Sequence, residues 1–527
     1  MKNILKRFSQ FNLKKLFTAV FFIVILVLLL ATVRGQVGTP NTNELNTSKW
    51  TTNGPFELSP ERGRFALLYS FVENKSLIFS LPIARFATPD LGIANGNYVS
   101  LFAPLVSFAM IPGYILGKMI GLSQVGTYFT VTLFAVFNAI LIRQIAIKLG
   151  AKNFAANIAS LIFVFASPAF AYGVTLYQHH ISTFLILSSL YIILRWKGLR
   201  PLPVIWLLFA LSIPVDYPNL VLMLPIALFA STRILWLQKD KKGIKINIKL
   251  LGLLTFITVI LPFMFYVWFS QNSYGKPLQL SGTIQGVRAI DVNGKPTKPS
   301  LIIDRSIKEV INIPPKKERN AIALFHTRNI LNGFYIYFLS PDRSILFFTP
   351  VMFLGIFGFI KLWKTRQKEL ALISGVIGAN FVLYSMWYDP WGGWAFGSRY
   401  LIPSYALISI LIAVALTTFG KKFIFTFLFL IIAVYSIAVN TLGALTTNAN
   451  PPQLEVLALE KQSGKQEKYT FVRNWDYLNI KGSKSFVYNT YFKNFLSPVQ
   501  YYWLLVSIIT IILSSNLLYE YFNRKNI

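Results

Sequence analysis

Apolar stretches recur along this sequence at or near the length that one bilayer crossing requires. A helix needs roughly 20 apolar residues to cross about 30 Å of hydrocarbon. Such stretches fill residues 16–33, 125–142, 154–172, 181–194, 202–215, 218–235, 250–270, 344–360, 370–388, 400–419, 423–442 and 501–519. Polar, basic segments fall between alternate pairs. They carry Arg143, Lys148 and Lys152, then Arg195, Lys197 and Arg200, then Arg233, Lys239, Lys241, Lys242 and Lys245. Further along come Lys361, Lys364, Arg366 and Lys368, then Lys421 and Lys422, and finally Arg524 and Lys525. Lysine and arginine concentrate at the cytoplasmic ends of spans. The alternation therefore predicts an all-α polytopic membrane protein, a bundle of about 12 transmembrane helices with both termini in the cytoplasm. Long outer loops are expected at 34–123, 271–341 and 444–498.

The first outer loop has its own pattern. Residues 60–73 read as a helix, with Ser59 as cap, Pro60 at the first position and Phe65, Leu68 and Val72 on one face. That face suits a helix lying in the membrane interface. Asn95-Gly96 signals a turn. Residues 98–120 are apolar, but Pro104, Pro112 and Gly113 interrupt them, and counting them as a span puts Arg143, Lys148 and Lys152 outside. They are expected to form outer-face helices lying along or dipping into the bilayer. At the start, the basic residues before 16 and the absence of a small-x-small cleavage pattern favour a retained anchor over a cleaved signal peptide.

Composition sharpens this picture. Of 527 residues, 54% are hydrophobic and 13% charged, about half the charged share of soluble domains. The net charge of +32 raises nucleic acid as a partner. The cations sit in short clusters between spans, so nucleic-acid binding is set aside in favour of the inside-positive pattern. There is no cysteine, which excludes disulfides and thiolate chemistry. The chain has no Asp-x-Asp, P-loop or Gly-x-Gly-x-x-Gly motif. That argues against a nucleotide-sugar enzyme with a soluble catalytic domain and against an ATP-driven machine.

The notable polar residues beside the spans all fall at predicted outer ends: Glu61, His179, His180, Asp216, Asp342, Arg343, Asp389 and Arg399. An ion-coupled transporter more often holds its acids near mid-membrane. An enzyme at the outer interface needs an acid in a loop for proton abstraction and cations for a phosphate leaving group. Each residue also has a plainer reading. Glu61 stands in a first helical turn, where the dipole alone favours an acid by about 0.3–1 kcal/mol. His179 and His180 suit an interface as well as a phosphate or sugar contact. Arg399 either snorkels to headgroups or grips a phosphate through its forked donors. Asp342 and Arg343 can pair with each other, and Asp216 can simply order its turn. Trp387, Trp391 and Trp394 fit an aromatic belt first and a sugar or polyprenyl platform second.

Several stretches resemble the GT-C superfamily of polytopic glycosyltransferases, with the nearest likeness to the protein mannosyltransferase and aminoarabinose transferase families. They are Glu61-Arg62-Gly63-Arg64-Phe65-Ala66-Leu67 with Val72-Glu73-Asn74; Thr88-Pro89-Asp90; Asn95-Gly96-Asn97-Tyr98; and Ala103-Pro104-Leu105. Further along they are Gln178-His179-His180; Ser340-Pro341-Asp342-Arg343; and Trp391 through Tyr400, the most specific. The resemblance implies a sugar donor linked to a polyprenyl phosphate, used at the outer face with inversion, and an acceptor hydroxyl on a protein, lipid or glycan. The family's base is an Asp in the first loop; the matching position here is Glu61, with Asp90 as the substitute. Arg399 matches best as the donor-phosphate residue, with Arg343 and Arg64 behind it, and His179, His180, Trp394 and Tyr400 complete the expected substrate contacts. No metal or other cofactor is expected. The catalytic unit is expected over 1–443, the unmatched terminal outer loop over 444–498, and the last helix and tail over 499–527. The competing expectation is a non-enzymatic transporter or flippase of a lipid-linked saccharide. Internal repeats of span pattern favour that class, and none is evident.

Overall fold

The computed structural model describes residues 2–240, 243–297, 324–464 and 466–523. Lys241, Lys242, Arg524 and Lys525 of the basic clusters, and the 298–323 part of the second long loop, lie outside the described residues. Helices dominate. Among the described residues six are long and apolar enough to cross a membrane: Lys15–Thr32, Ser123–Lys148, Leu250–Tyr274, Arg399–Phe419, Phe423–Leu445 and Pro498–Leu518. Four shorter apolar helices, Asn153–Phe165, His179–Arg195, Leu202–Ser212 and Asn219–Ser231, accompany them.

Several expected continuous spans are broken, each at a residue with a reason. The stretch 344–360 becomes the short helix Ile345–Phe348, a 3-10 turn at Pro350–Leu354 and the helix Gly355–Thr365. Pro350 lacks the N–H that would continue the first helix. The stretch 154–172 stops at Phe165, because Ser167-Pro168 interrupts it before the turn Ala169–Tyr172. The stretch 98–120, expected as outer-face helices and not as a span, yields the strand Asn97–Ser100 and two helices, Leu105–Ala109 and Ile111–Met119.

The all-α expectation needs a further correction, since small antiparallel sheets are present. Leu91–Ala94 pairs with Asn97–Ser100 across Asn95-Gly96, and its other edge takes Gln285–Val287 from the second long loop. Asn95 and Gly96 both have positive φ, 49° and 77°, as a tight two-residue hairpin turn requires. A second hairpin, Leu235–Asp240 with Gly243–Ile248, occupies one of the basic connections.

The Arg399–Phe419 helix is the axis of the bundle, buried over most of its length. It packs against Ser123–Lys148, Asn153–Phe165 and Gly355–Thr365. Gly358 makes the last contact close: a Cβ there would stand 1.9 Å from the Leu411 carbonyl. Small residues let helix backbones meet in this way where no hydrophobic drive separates lipid from protein. Leu250–Tyr274 lies at the edge, with Leu251, Leu254, Ile257 and Leu261 exposed, as a lipid-facing helix presents itself.

The helix in the first loop is Ser59–Glu73, one residue longer than expected. It differs from an interfacial amphipathic helix because its residues from Gly63 to Ser70 are all buried. It sits in a second apolar core, where Phe56 meets Phe65 at 4.5 Å, Phe86 at 5.4 Å and Tyr128 at 6.0 Å between ring centres. Ser59 does not cap it. The cap position is Leu58 without a side-chain bond, and the Ser59 hydroxyl donates to Asp90 Oδ2 at 2.6 Å.

Candidate functional site

The Ser59–Glu73 helix carries Glu61 in its first turn. The side chain is wholly buried. Oε1 has two long contacts at 3.4 Å, from the Tyr128 hydroxyl and the Leu176 N–H. Oε2 has no hydrogen-bond partner. Burial, reinforced by the charge of Glu57, lifts the Glu61 carboxyl to about 7, against the partial opposition of Arg34 and Lys484. Burial raises a carboxyl because the charged form loses its hydration.

Glu57 has the opposite environment. Arg34 Nη1 reaches its Oε1 at 3.2 Å, Lys484 Nζ binds its Oε2, the Thr447 hydroxyl donates at 2.8 Å and the Asn448 N–H at 2.7 Å. Burial alone pushes this carboxyl up, but Lys484 and Arg34 outweigh it and hold it below the usual carboxylate range. One buried acid is thus ionised and saturated. Its neighbour is near neutrality and half-unpaired.

Beside Glu61 the chain 173–178 turns into the His179–Arg195 helix and brings up Tyr177. Tyr177 is a hub. The guanidinium of Arg399 lies 5.2 Å from its ring centre and that of Arg64 5.6 Å. The His179 ring stacks on it at 5.9 Å and Tyr172 meets it edge-on at 5.0 Å. Burial pushes the Tyr177 phenol well up, and Glu61 adds to the shift. The Tyr177 hydroxyl, His179 Nε2 and Arg399 Nε are buried and, like Glu61 Oε2, have no hydrogen-bond partner. Buried polar atoms are normally satisfied. Four orphans in one cluster, spanning an acid, a phenol, an imidazole and a guanidinium, outline a place for a polar ligand.

The turn 391–398 presents Arg399. Gly392, Gly393 and Gly397 take φ values of 76°, 65° and 57°, which side chains rarely tolerate. The backbone wraps so that Arg399 Nη2 donates to its own loop at Gly392 O, 2.6 Å away. Tyr400 stacks on Tyr384 at 4.3 Å and meets His179 edge-on at 6.2 Å. Its carbonyl is held by the Asn380 amide at 3.0 Å.

The remaining expected residues fall elsewhere or are already engaged. His180 points away from His179: Nε2–H donates to Ala169 O at 2.8 Å, and Nδ1 accepts from the Asn138 amide at 3.3 Å. With both nitrogens satisfied and Phe163 against the ring, it is a core histidine. Arg343 is buried and donates to four carbonyls: Trp391, Asp342, Gly393 and Asn450. It braces the glycine-rich turn, and its expected pairing with Asp342 is replaced by this set. The Asp342 carboxylate takes Ser340 and the Gln453 N–H instead. Trp394 turns to the terminal segment, donating Nε1–H to Glu455 at 2.6 Å. Asp90 accepts from Ser59, as above. Arg64 is fixed by Pro60 O at 3.0 Å and Gln178 Oε1 at 2.6 Å, and lies 4.5 Å over the Phe102 ring. Burial brings its guanidinium down to about 10.

Tyr177, Glu57, Arg34 and Lys484 belong to this region and were not singled out from the sequence as site residues. Nor was the link from Arg64 through Gln178 to Asp216, whose carboxylate accepts the Gln178 amide at 3.1 Å. Burial raises the Asp216 carboxyl. Among the described residues no three His, Asp or Glu side chains gather as metal ligands do.

No protein-family model matches the chain, and no curated sequence does. Two crystal structures of ArnT from Cupriavidus metallidurans are similar to it. The apo form is 12% identical, with a TM-score of 0.43, covering 96% of this chain and 78% of that one. The form bound to undecaprenyl phosphate is 15% identical, with a TM-score of 0.42, covering 95% and 77%. Residue roles rest on this chain's own geometry.

Proposed function

We propose that this chain is an inverting glycosyltransferase that moves a sugar from a polyprenyl-phosphate donor to an acceptor hydroxyl at the outer face of the membrane. The observation that carries the reading is the set of orphaned buried atoms around Tyr177, with a carboxyl poised near neutrality at its edge. A general base works best when its pKa lies near the working pH. Glu61 takes the proton of the acceptor hydroxyl through its unpaired Oε2. The acceptor oxygen attacks the anomeric carbon as the bond from that carbon to the phosphate oxygen breaks. The departing phosphate keeps the electron pair, and Arg399 stabilises the charge there through its free Nε. His179 Nε2 and the Tyr177 hydroxyl supply further polar contacts. Arg64, already tied at both ends, shapes the cluster and adds positive potential.

Glu61 is preferred to Asp90 because Asp90 already holds the start of its helix through Ser59. Arg399 is preferred to Arg343 because Arg343 is occupied by carbonyls. The experiment is transfer from a panel of radiolabelled polyprenyl-phosphate sugars by purified protein in lipid. Transfer by the wild type that is lost on R399A and on E61Q is expected. Transfer undiminished in both variants would remove these residues from the chemistry.

A further inference from the structure

The terminal segment 444–498 carries no recognisable motif, yet it reaches the immediate neighbour of Glu61. Lys484, Thr447 and Asn448 supply three of the four groups on the Glu57 carboxylate. The fourth is Arg34, at the end of the first helix, which also donates to Gly443 O at 2.6 Å and Asn448 Oδ1 at 3.1 Å. The backbone follows the same seam. Arg34 bridges to Ser485, and the Phe486 N–H donates to Val33 O at 2.8 Å. Arg34, Glu57 and Lys484 are all nearly or wholly buried.

We propose that Glu57 and Lys484 are positioning residues for Glu61: by seating Lys484 on Glu57, the terminal segment fixes the charge beside the base and so ties its own docking to the base's readiness to accept a proton. The inference rests on Glu61 being the base. Charge counting gives its logic. Arg34 and Lys484 oppose Glu57 and Glu61, and the set is neutral when Glu61 is ionised. Without Lys484, one cation faces two acids, and Glu61 retains its proton to higher pH. Without Glu57, two cations face Glu61 alone, and it ionises at lower pH. Charges removed from water act on one another more strongly than exposed ones. Both groups act on Glu61 in the senses this requires, Glu57 raising its affinity for the proton and Lys484 lowering it.

The other charged or titratable groups near the pair stay the same in either variant. Arg62 is anchored to the Phe56, Glu57 and Thr88 carbonyls, and Arg64 to Pro60 and Gln178. Tyr128 and Tyr177 face Glu61. Tyr477 faces Glu57 and lies 5.7 Å beneath Lys484.

The test is an infrared titration of the full chain in lipid nanodiscs, following the protonated carboxyl band that vanishes in E61Q. K484Q is expected to move the midpoint of that band to higher pH, K484R to return it, and E57Q to move it to lower pH. E57Q strands two buried cations and is the variant most at risk of not folding; the two Lys484 variants decide without it. An unmoved midpoint in K484Q overturns the proposal. The band reports Glu61 without any transfer. Survival of transfer in E61Q would therefore defeat the base assignment, and with it the catalytic meaning, separately from whether the band responds to Lys484.

Discussion

His179 and His180 are adjacent in sequence, yet they have different fates. Successive helical residues point about 100° apart, so one ring enters the Tyr177 cluster and the other enters the core. H180A should lose the bonds to Ala169 and Asn138, cost about 1–3 kcal/mol, and lower the thermal unfolding midpoint in detergent. H179A should unfold near the wild-type midpoint and lose transfer instead. R399K keeps the charge but not the planar fork. It is expected to cut transfer by about tenfold or more, read as the turnover rate at saturating donor. The sequence could single out Glu61, His179 and Arg399 because polar residues stand out against apolar runs. It could not single out Tyr177, since a tyrosine beside a span reads first as an interface residue. Arg34 did leave a signal: a basic residue at the predicted outer end of a span runs against the inside-positive rule.

The helices and loops tell a similar story. The Asn95-Gly96 turn was legible because two positive φ values select few residues, but the strands it joins were not. The breaks at Pro168 and Pro350 were marked by proline, but hydropathy averages over them and draws one long span. The third strand of the small sheet, Gln285–Val287, pairs with Leu91–Ala94 from far along the chain, and no local pattern announces such a partner. The terminal segment was opaque for the same reason, since its anchors are distant. Its anchors outside are Arg34 and Glu57, and within it Asn474 ties back to its start: buried, it donates to Thr446 Oγ1 at 2.9 Å and Thr447 O at 2.7 Å, and accepts from Asn450 at 2.7 Å. N474A is expected to cost about 1–3 kcal/mol and to open the 446–484 stretch to limited proteolysis while the rest of the chain stays intact.

The bundle as assembled has a tight axis and a loose rim. G358L forces a branched side chain into the space held by the Leu411 carbonyl, at a cost of about 1–3 kcal/mol or more, and should lower the thermal midpoint clearly. L261A, on the exposed face of Leu250–Tyr274, should leave it nearly unchanged. Stability and chemistry also conflict at Glu61. The folded chain binds its proton more tightly than the unfolded chain, so this group's contribution to stability is full below about 4.5 and is lost as pH rises through about 7. E61Q carries no charge to bury and should be more heat-stable than wild type at pH 8, even as it is expected to lose transfer. The most direct measurement is the rate of sugar transfer from a radiolabelled polyprenyl-phosphate donor across pH, for wild type and E61Q in lipid. A wild-type rate that climbs with pH, reaches half its limit near 7, and falls by about 10²–10⁴-fold in E61Q is the predicted result. An E61Q rate equal to the wild type at every pH would contradict the account.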